Sequence, residues 1–222
     1  MSGGGRRTGA GAERGGGDSR ARGRGEQSPV AVLIGPPGAG KSTVGPLLAA
    51  LLGAEFAETD ALVEEAAGKP VSDIFISDGE PAFRDLERTA VTQALDHRPG
   101  IVSLGGGAVM DPQTRQRLAG HRVVYLQTGF AAAMRRVGLD TPRPLLLGNP
   151  RGRLRELLAE RLPVYESLAG ITVVTDDREP QEIADEIAAA ITARIAAAAG
   201  EGAGTGAADG GWAGEENDDG GG

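Results

Sequence analysis

The run Gly35-Pro36-Pro37-Gly38-Ala39-Gly40-Lys41-Ser42-Thr43 constrains this chain more than any other stretch. It fits G-x-x-x-x-G-K-[ST], a loop that cradles phosphate groups. The residues before it, Val30-Ala31-Val32-Leu33-Ile34, are apolar and β-branched, as a strand buried on both faces requires. The residues after it, Val44 to Leu52, can continue as a helix. Strand, glycine loop and helix therefore stand in the order the motif needs. Gly35, Gly38 and Gly40 let the backbone turn tightly and aim N–H groups at phosphate oxygens. A helix opening near Lys41 adds unsatisfied N–H groups and the positive end of its dipole. Within Gly38, Ala39, Gly40, Lys41, Ser42 and Thr43, Lys41 is expected to reach the β- and γ-phosphates, and the Ser42 hydroxyl to ligate one Mg²⁺ per subunit. The motif specifies a nucleoside triphosphate and leaves the phosphate acceptor open.

The two ends of the chain read differently from the middle. Residues 1–28 are glycine-rich with six arginines and three acids, and residues 199–222 carry six acids and no base. Neither end has the apolar surface to offset the entropy of ordering, so both are expected to be disordered tails around one domain at 29–198. The total charge of −8 divides into +3 for the leader, −6 for the tail and −5 for the domain. A mildly acidic domain argues against a nucleic-acid surface. With no cysteine, disulfides, thiolate metal sites and a catalytic thiol are excluded. His97 and His121, the only histidines, fall in expected loops and are read as exposed. No apolar run approaches a membrane span, so the expectation is a cytoplasmic protein with no membrane partner; a monomer is expected separately.

Along the domain, strands alternate with helices. Strands are expected at 54–58, 101–104, 123–126 and 171–174 besides the one before the glycine loop. Helices are expected at 61–67, from Ser72 as an N-cap, from 79 into the 90s, from Asp111-Pro112, at 129–137, at 153–162 and at 180–198. In the long helix after Asp78, Phe83, Leu86, Ala90, Val91, Ala94 and Leu95 make the apolar face, with Arg84, Asp85, Glu87 and Arg88 pointing elsewhere. In the last helix Ile183, Ile187, Ile191 and Ile195 repeat as a buried stripe. The pattern implies an α/β fold, a five-stranded parallel sheet with helices on both faces. Ligands of such sheets bind beyond the carboxyl ends of the strands. The glycine loop, Thr59-Asp60 and Gly105-Gly106-Gly107 all fall there. Residues 138–152 are broken by Gly138, Pro142, Pro144, Gly148, Pro150 and Gly152 and carry Arg143, the make-up of a lid over phosphates.

Taken together, Gly35–Thr43, Glu58-Thr59-Asp60, Asp73-Ile74-Phe75, Asp78-Gly79-Glu80 with Phe83-Arg84, Ser103 to Ala108, Arg143-Pro144-Leu145-Leu146 and Arg161 with Pro163 and Tyr165 resemble shikimate kinase. The resemblance spans about residues 29–195. It implies a P-loop fold of the nucleoside monophosphate kinase type, with an acceptor-binding helical insert at about 60–95 and a lid. It implies MgATP-dependent phosphorylation of the 3-hydroxyl of shikimate. By this resemblance Asp60 orients the hydroxyl, Arg84 and Arg161 grip the substrate carboxylate, and the amides of Gly105, Gly106 and Gly107 meet its hydroxyls. Arg143 meets the transferred phosphoryl, Arg136 stacks on adenine and Pro180 closes the other face of the base. The family usually has Asp-x-Asp where this chain has Glu58-Thr59-Asp60. Glu58 keeps the charge on a longer arm, which is expected to shift the metal shell.

The residues alone leave alternatives. A kinase for gluconate or a nucleoside monophosphate keeps the same loop, and a catalytically silent P-loop module is a third class. Asp60 can be read as a helix N-cap, Arg84 as the partner of Glu80 or Glu87, and Arg161 as the partner of Glu160 or Glu166.

Overall fold

The computed structural model describes residues 28–137 and 150–203. Its centre is a five-stranded, all-parallel sheet in the order β2-β3-β1-β4-β5. The strands are β1 (Pro29–Ile34), β2 (Phe56–Glu58), β3 (Gly100–Ser103), β4 (Val123–Gln127) and β5 (Ile171–Val174). The helices are α1 (Lys41–Leu52), α2 (Thr59–Ala67), α3 (Val71–Ser77), α4 (Gly79–His97), α5 (Pro112–Leu118), α6 (Phe130–Val137), α7 (Pro150–Leu168) and α8 (Pro180–Ala203), with a 3₁₀ turn at Ala108–Met110. The expected sheet and its helical cover are both present. No helix among the described residues is long and apolar enough to cross a membrane.

Successive residues of β1 feed opposite faces, as strand geometry dictates. Ala31 and Leu33 pack with Val44 and Leu48 of α1 and with Ile183, Ile187 and Ile191 of α8. Val32 and Ile34 pack with Val91 and Leu95 of α4, Leu118 of α5 and Tyr165 of α7. Because β1 is buried on both sides, its sequence is apolar throughout. A separate small core of Val63, Ile74, Phe83 and Ala90 ties α2 and α3 onto α4. This is the helical insert beside the sheet.

The register places the site. Leu33 and Glu58 both stand level with Ser103, and Ile34 stands level with Tyr125. The carboxyl ends of β2, β3, β1 and β4 therefore form one rim. From β1 the chain runs out to β2 and back to β3 on one side, then crosses to β4 and β5 on the other, so the glycine loop sits at the topological switch point.

Several expected bounds move. Ser72 does not cap α3; the helix begins after Pro70, and the Ser72 hydroxyl donates to Asp73 Oδ1. Asp60 is not a cap either, because the N-cap of α2 is Glu58 and Asp60 lies in the first turn. Ile195 is 43% exposed and leaves the buried stripe after Ile191. There α8 extends beyond the elements it packs on. The helix expected to end at Leu162 begins at Pro150 and runs to Leu168 through Pro163. A proline inside a helix loses one hydrogen bond and strains the preceding turn. Arg161 and Tyr165, on either side of it, both bond the Gly106 carbonyl and hold the helix across that point. His97 closes α4 rather than lying in a loop.

Candidate active site

The phosphate loop is built by local geometry. Gly35, Gly38 and Gly40 all have positive φ, at 148°, 80° and 93°. A side chain on Gly35 would come within 2.6 Å of the Leu126 carbonyl, and one on Gly38 within 2.8 Å of the Ala133 carbonyl. The glycines thus serve both the turn and the close approach of β4 and α6. Lys41 Nζ donates to the carbonyls of Gly35 at 2.7 Å and Pro36 at 3.2 Å, so the ammonium is held over its own loop. The loop borders a cavity of about 320 Å³, lined also by Ser42, Thr43, Glu58, Asp60, Gly105, Gly106 and Arg136.

Glu58 answers the question its length raises. The Ser42 hydroxyl donates to Glu58 Oε1 at 2.6 Å, so the longer carboxylate still reaches it. A hydroxyl and a carboxylate beside a phosphate loop are hard oxygen donors. That donor set fits Mg²⁺, which takes one or two protein oxygens and shares the rest with phosphates and water.

Arg136 joins this cavity from α6. Its guanidinium donates to the Gly38 carbonyl at 3.4 Å and to Thr175 Oγ1 at 3.0 Å, with a further bond to the Thr175 carbonyl. The start of α6 is tied to the same loop, since Asp176 accepts from Thr128 Oγ1 at 2.7 Å and from the Gly129 N–H at 2.9 Å. Arg135, the neighbouring basic residue, pairs with Asp177 on the surface. Pro180 opens α8 at the end of this loop and lines neither of the two cavities described here.

The second cavity, about 730 Å³, opens between α4, α5 and α7. Arg84, Glu87, Gly107 and Arg161 line it on the side nearest Asp60. Arg84 is half-buried and doubly engaged. Nη1 donates to Glu87 Oε2 at 2.7 Å, and Nη2 donates to Glu80 Oε1 at 3.0 Å. Burial works to lower its pKa, but Glu87 and Glu80 outweigh this and raise it. Arg161 is buried. Rather than pairing with Glu160 or Glu166, its Nη1 donates to the Gly106 carbonyl at 3.0 Å. Its Nε is buried with no hydrogen-bond partner, a donor left over for a ligand.

Glu87 is the residue that the helical reading misdirected. It is 4% exposed and sits on the buried face of α4. Its spacing of four from both Phe83 and Val91 is the signal that puts it there. Burial raises the pKa of its carboxyl, with the Asp60 charge adding to this, while Arg84 and Arg161 act in the opposite sense.

The three glycines after β3 prove specific rather than merely flexible. A side chain on Gly105 would come within 2.5 Å of Asp60 Oδ1 and 2.9 Å of Glu87 Oε1. On Gly106 it would meet Pro37 Cδ at 3.1 Å, and on Gly107 Arg84 Nη1 at 2.6 Å. One expectation is corrected here. The Gly105 N–H donates to the buried Thr59 Oγ1 at 2.9 Å, so that amide is committed within the protein and is not offered to a substrate. Arg143 and most of the expected lid lie outside the described residues; Pro150 to Gly152, counted with the lid, form the first turn of α7.

Known proteins share this sequence and this fold. A family model described as shikimate kinase matches residues 37–192. A shikimate kinase of Thermobifida fusca is 62% identical over 157 residues, covering 71% of this chain and 91% of that protein. One of Salinispora arenicola is 55% identical over 159 residues, covering 72% and 95%. Among solved structures, the shikimate kinase of Acinetobacter baumannii in complex with shikimate superposes with a TM-score of 0.72 at 34% identity. The match covers 78% of this chain and 98% of that one.

Proposed function

The chain belongs to the shikimate kinase family, and from that premise we propose how its residues divide the reaction. It is an ATP-dependent kinase. It transfers the γ-phosphate of ATP to the 3-hydroxyl of shikimate, giving shikimate 3-phosphate and ADP, a step toward chorismate and the aromatic amino acids.

The division of roles is carried by one observation: Asp60 stands in the phosphate-loop cavity, Arg84 and Arg161 stand in the adjoining one, and a single glycine turn separates them. On the donor side, the Gly38–Thr43 amides and Lys41 hold the β- and γ-phosphates. To do so Lys41 Nζ moves from the carbonyls of Gly35 and Pro36 to phosphate oxygen. Arg136 faces the base, with Pro180 across from it. Ser42 and Glu58 would hold one Mg²⁺, which supplies charge neutralisation at the phosphate oxygens.

On the acceptor side, Arg84 and Arg161 take the substrate carboxylate, which guanidinium forks suit better than ammonium groups. The carboxylate replaces exposed Glu80 on Arg84 and finds the spare Nε of Arg161. Glu87 stays paired and offsets the charge of two arginines. Gly106 and Gly107 border the ring hydroxyls. Asp60 then accepts the hydroxyl proton as the new O–P bond forms and the bond to ADP breaks. Phosphoryl transfer asks mainly for alignment and charge neutralisation, so this set is sufficient in kind. Arg143 completes it from the lid. The working unit is a monomer in the cytoplasm, where ATP is at hand.

The test is ADP release by the purified chain with MgATP and shikimate, gluconate or AMP in turn. Release with shikimate alone is expected, and release with gluconate or AMP instead would overturn the acceptor assignment. Sedimentation at micromolar concentration checks the monomer.

A further inference from the structure

The glycine turn after β3 does more than border the acceptor. Each of its glycines abuts a different working part: Gly105 the carboxylates of Asp60 and Glu87, Gly106 Pro37 of the phosphate loop, and Gly107 the Arg84 guanidinium. A shift of this turn therefore changes the distance between donor loop and acceptor groups. Its own backbone is held unevenly. The Gly105 carbonyl accepts from the Ala108 N–H at 3.0 Å, and the Gly107 carbonyl from the Met110 N–H at 2.9 Å. The Gly106 carbonyl instead takes two side-chain donors from α7, Arg161 Nη1 at 3.0 Å and the Tyr165 hydroxyl at 2.5 Å.

We propose that Tyr165 is a positioning residue for phosphoryl transfer, its hydroxyl fixing the Gly106 carbonyl and so the spacing between the phosphate loop and the acceptor clamp. Arg161 is one helical turn away on α7 and shares the same carbonyl, but it must also serve the substrate carboxylate. When a carboxylate on its Nε pulls at the guanidinium, the Tyr165 bond is what keeps Gly106 in place. The ring is suited to this. It is 1% exposed and stacks on Tyr125, with centroids 5.3 Å apart and planes 17° apart. Burial pushes its phenol up to about 12, so it remains a hydrogen-bond donor across the working range and takes no part as a proton carrier. These two contacts also explain why α7 continues through Pro163, which lies between the two anchors.

Tyr125 supplies a built-in control. It is equally buried, stacks on the same ring, and its hydroxyl has no hydrogen-bond partner. The inference rests on the shikimate kinase reading, so the wild-type chain is assayed first. No turnover of shikimate by it would overturn that reading and this one with it. Given turnover, Tyr165→Phe removes only the hydroxyl and is expected to lower kcat about tenfold while ATP KM stays within about twofold, the scale of one lost hydrogen bond at a positioned group. Its melting temperature should lie below that of Tyr125→Phe by no more than the few degrees of one lost hydrogen bond, and Tyr125→Phe keeps wild-type kinetics. A second pair tests the other side of the turn: Thr59→Ser, which keeps the acceptor for the Gly105 N–H, retains kcat, and Thr59→Val loses it. Wild-type kcat in Tyr165→Phe would overturn the proposal. So would a loss that arrives only with a larger fall in melting temperature and a raised ATP KM, because that pattern belongs to a structural role.

Discussion

The donor and acceptor halves of this site are built by different means. The phosphate-binding part of the donor half is one unbroken stretch, Gly35–Thr43, whose glycine conformations and helix start define where phosphate binds. The acceptor half is assembled from the start of α2, α4, the turn after β3, and α7, and its charges mostly face one another. Arg84 lies between Glu80 and Glu87, and Glu87 also feels Asp60 and Arg161. A backbone site works as soon as the local turn forms. A side-chain site of this kind works only when distant elements dock, and each charge there is tuned by the next. The contrast teaches that substitutions on the acceptor side should spare nucleotide binding yet act on one another.

The most severe break expected is Asp60→Asn. It removes the proton acceptor and should lower turnover by about 10²–10⁴-fold with ATP affinity kept, as measured by steady-state rates beside nucleotide titration. Retention of most activity would remove Asp60 from its role. Next comes Arg161→Ala, which deletes one arm of the clamp and should weaken the acceptor term by about 2–5 kcal/mol, read as a raised shikimate KM at constant ATP KM. An unchanged shikimate KM would show that the carboxylate binds elsewhere. Gly105→Ala tests the close approach alone, since Gly105 is not in the left-handed region; pushing Asp60 aside should cost roughly 10²-fold in kcat.

A gentler test concerns Glu87. Its folded carboxyl keeps its proton to higher pH than the ordinary value of 4.5, chiefly through burial. The folded chain thus holds the extra proton, and the stability so gained is lost as pH rises through the raised pKa. In Glu87→Gln that titration is absent. The melting temperature of the wild type relative to the variant should therefore fall as pH is raised from 4.5. A constant difference across that range would show that Glu87 titrates normally. The smallest effect is reserved for the ends. Deleting residues 1–27 and 204–222 should change stability by less than about 0.5 kcal/mol and leave kcat as it was, as thermal melts and rates would reveal. A large loss of either would make the ends part of the working domain.

Much of this was legible in advance, and the failures share a cause. The central strands β1, β3 and β4 could be read because strands buried on both faces must be apolar throughout, and the phosphate loop because its glycines are needed at fixed spacing. Arg84, Arg161 and Asp60 could be nominated by chemical type. Glu87 reads as an outer-face charge although Phe83 and Val91 bracket it at helical spacing, because a charge in a buried stripe is readable only if its partner is known. The Gly105 amide was offered to substrate because nothing in the residues near it announces Thr59. The end of α7 was set too early because Pro163 outweighs its neighbours locally, whereas Arg161 and Tyr165 gripping one carbonyl outweigh Pro163 in the folded chain.

By itself, then, the sequence determined the fold class, the phosphate-binding loop and the residue types available to hold a carboxylate. These depend on periodicity, backbone freedom and charge, which are properties of neighbouring residues. Only the tertiary structure decided that Glu58 still reaches Ser42, that Glu87 is buried between two arginines, and that each glycine of one turn makes room for a different functional group. Those facts depend on strand register and helix docking, which bring Asp60, Glu87, Gly105 and Arg161 together from separate elements, and no local interaction along the chain carries that information.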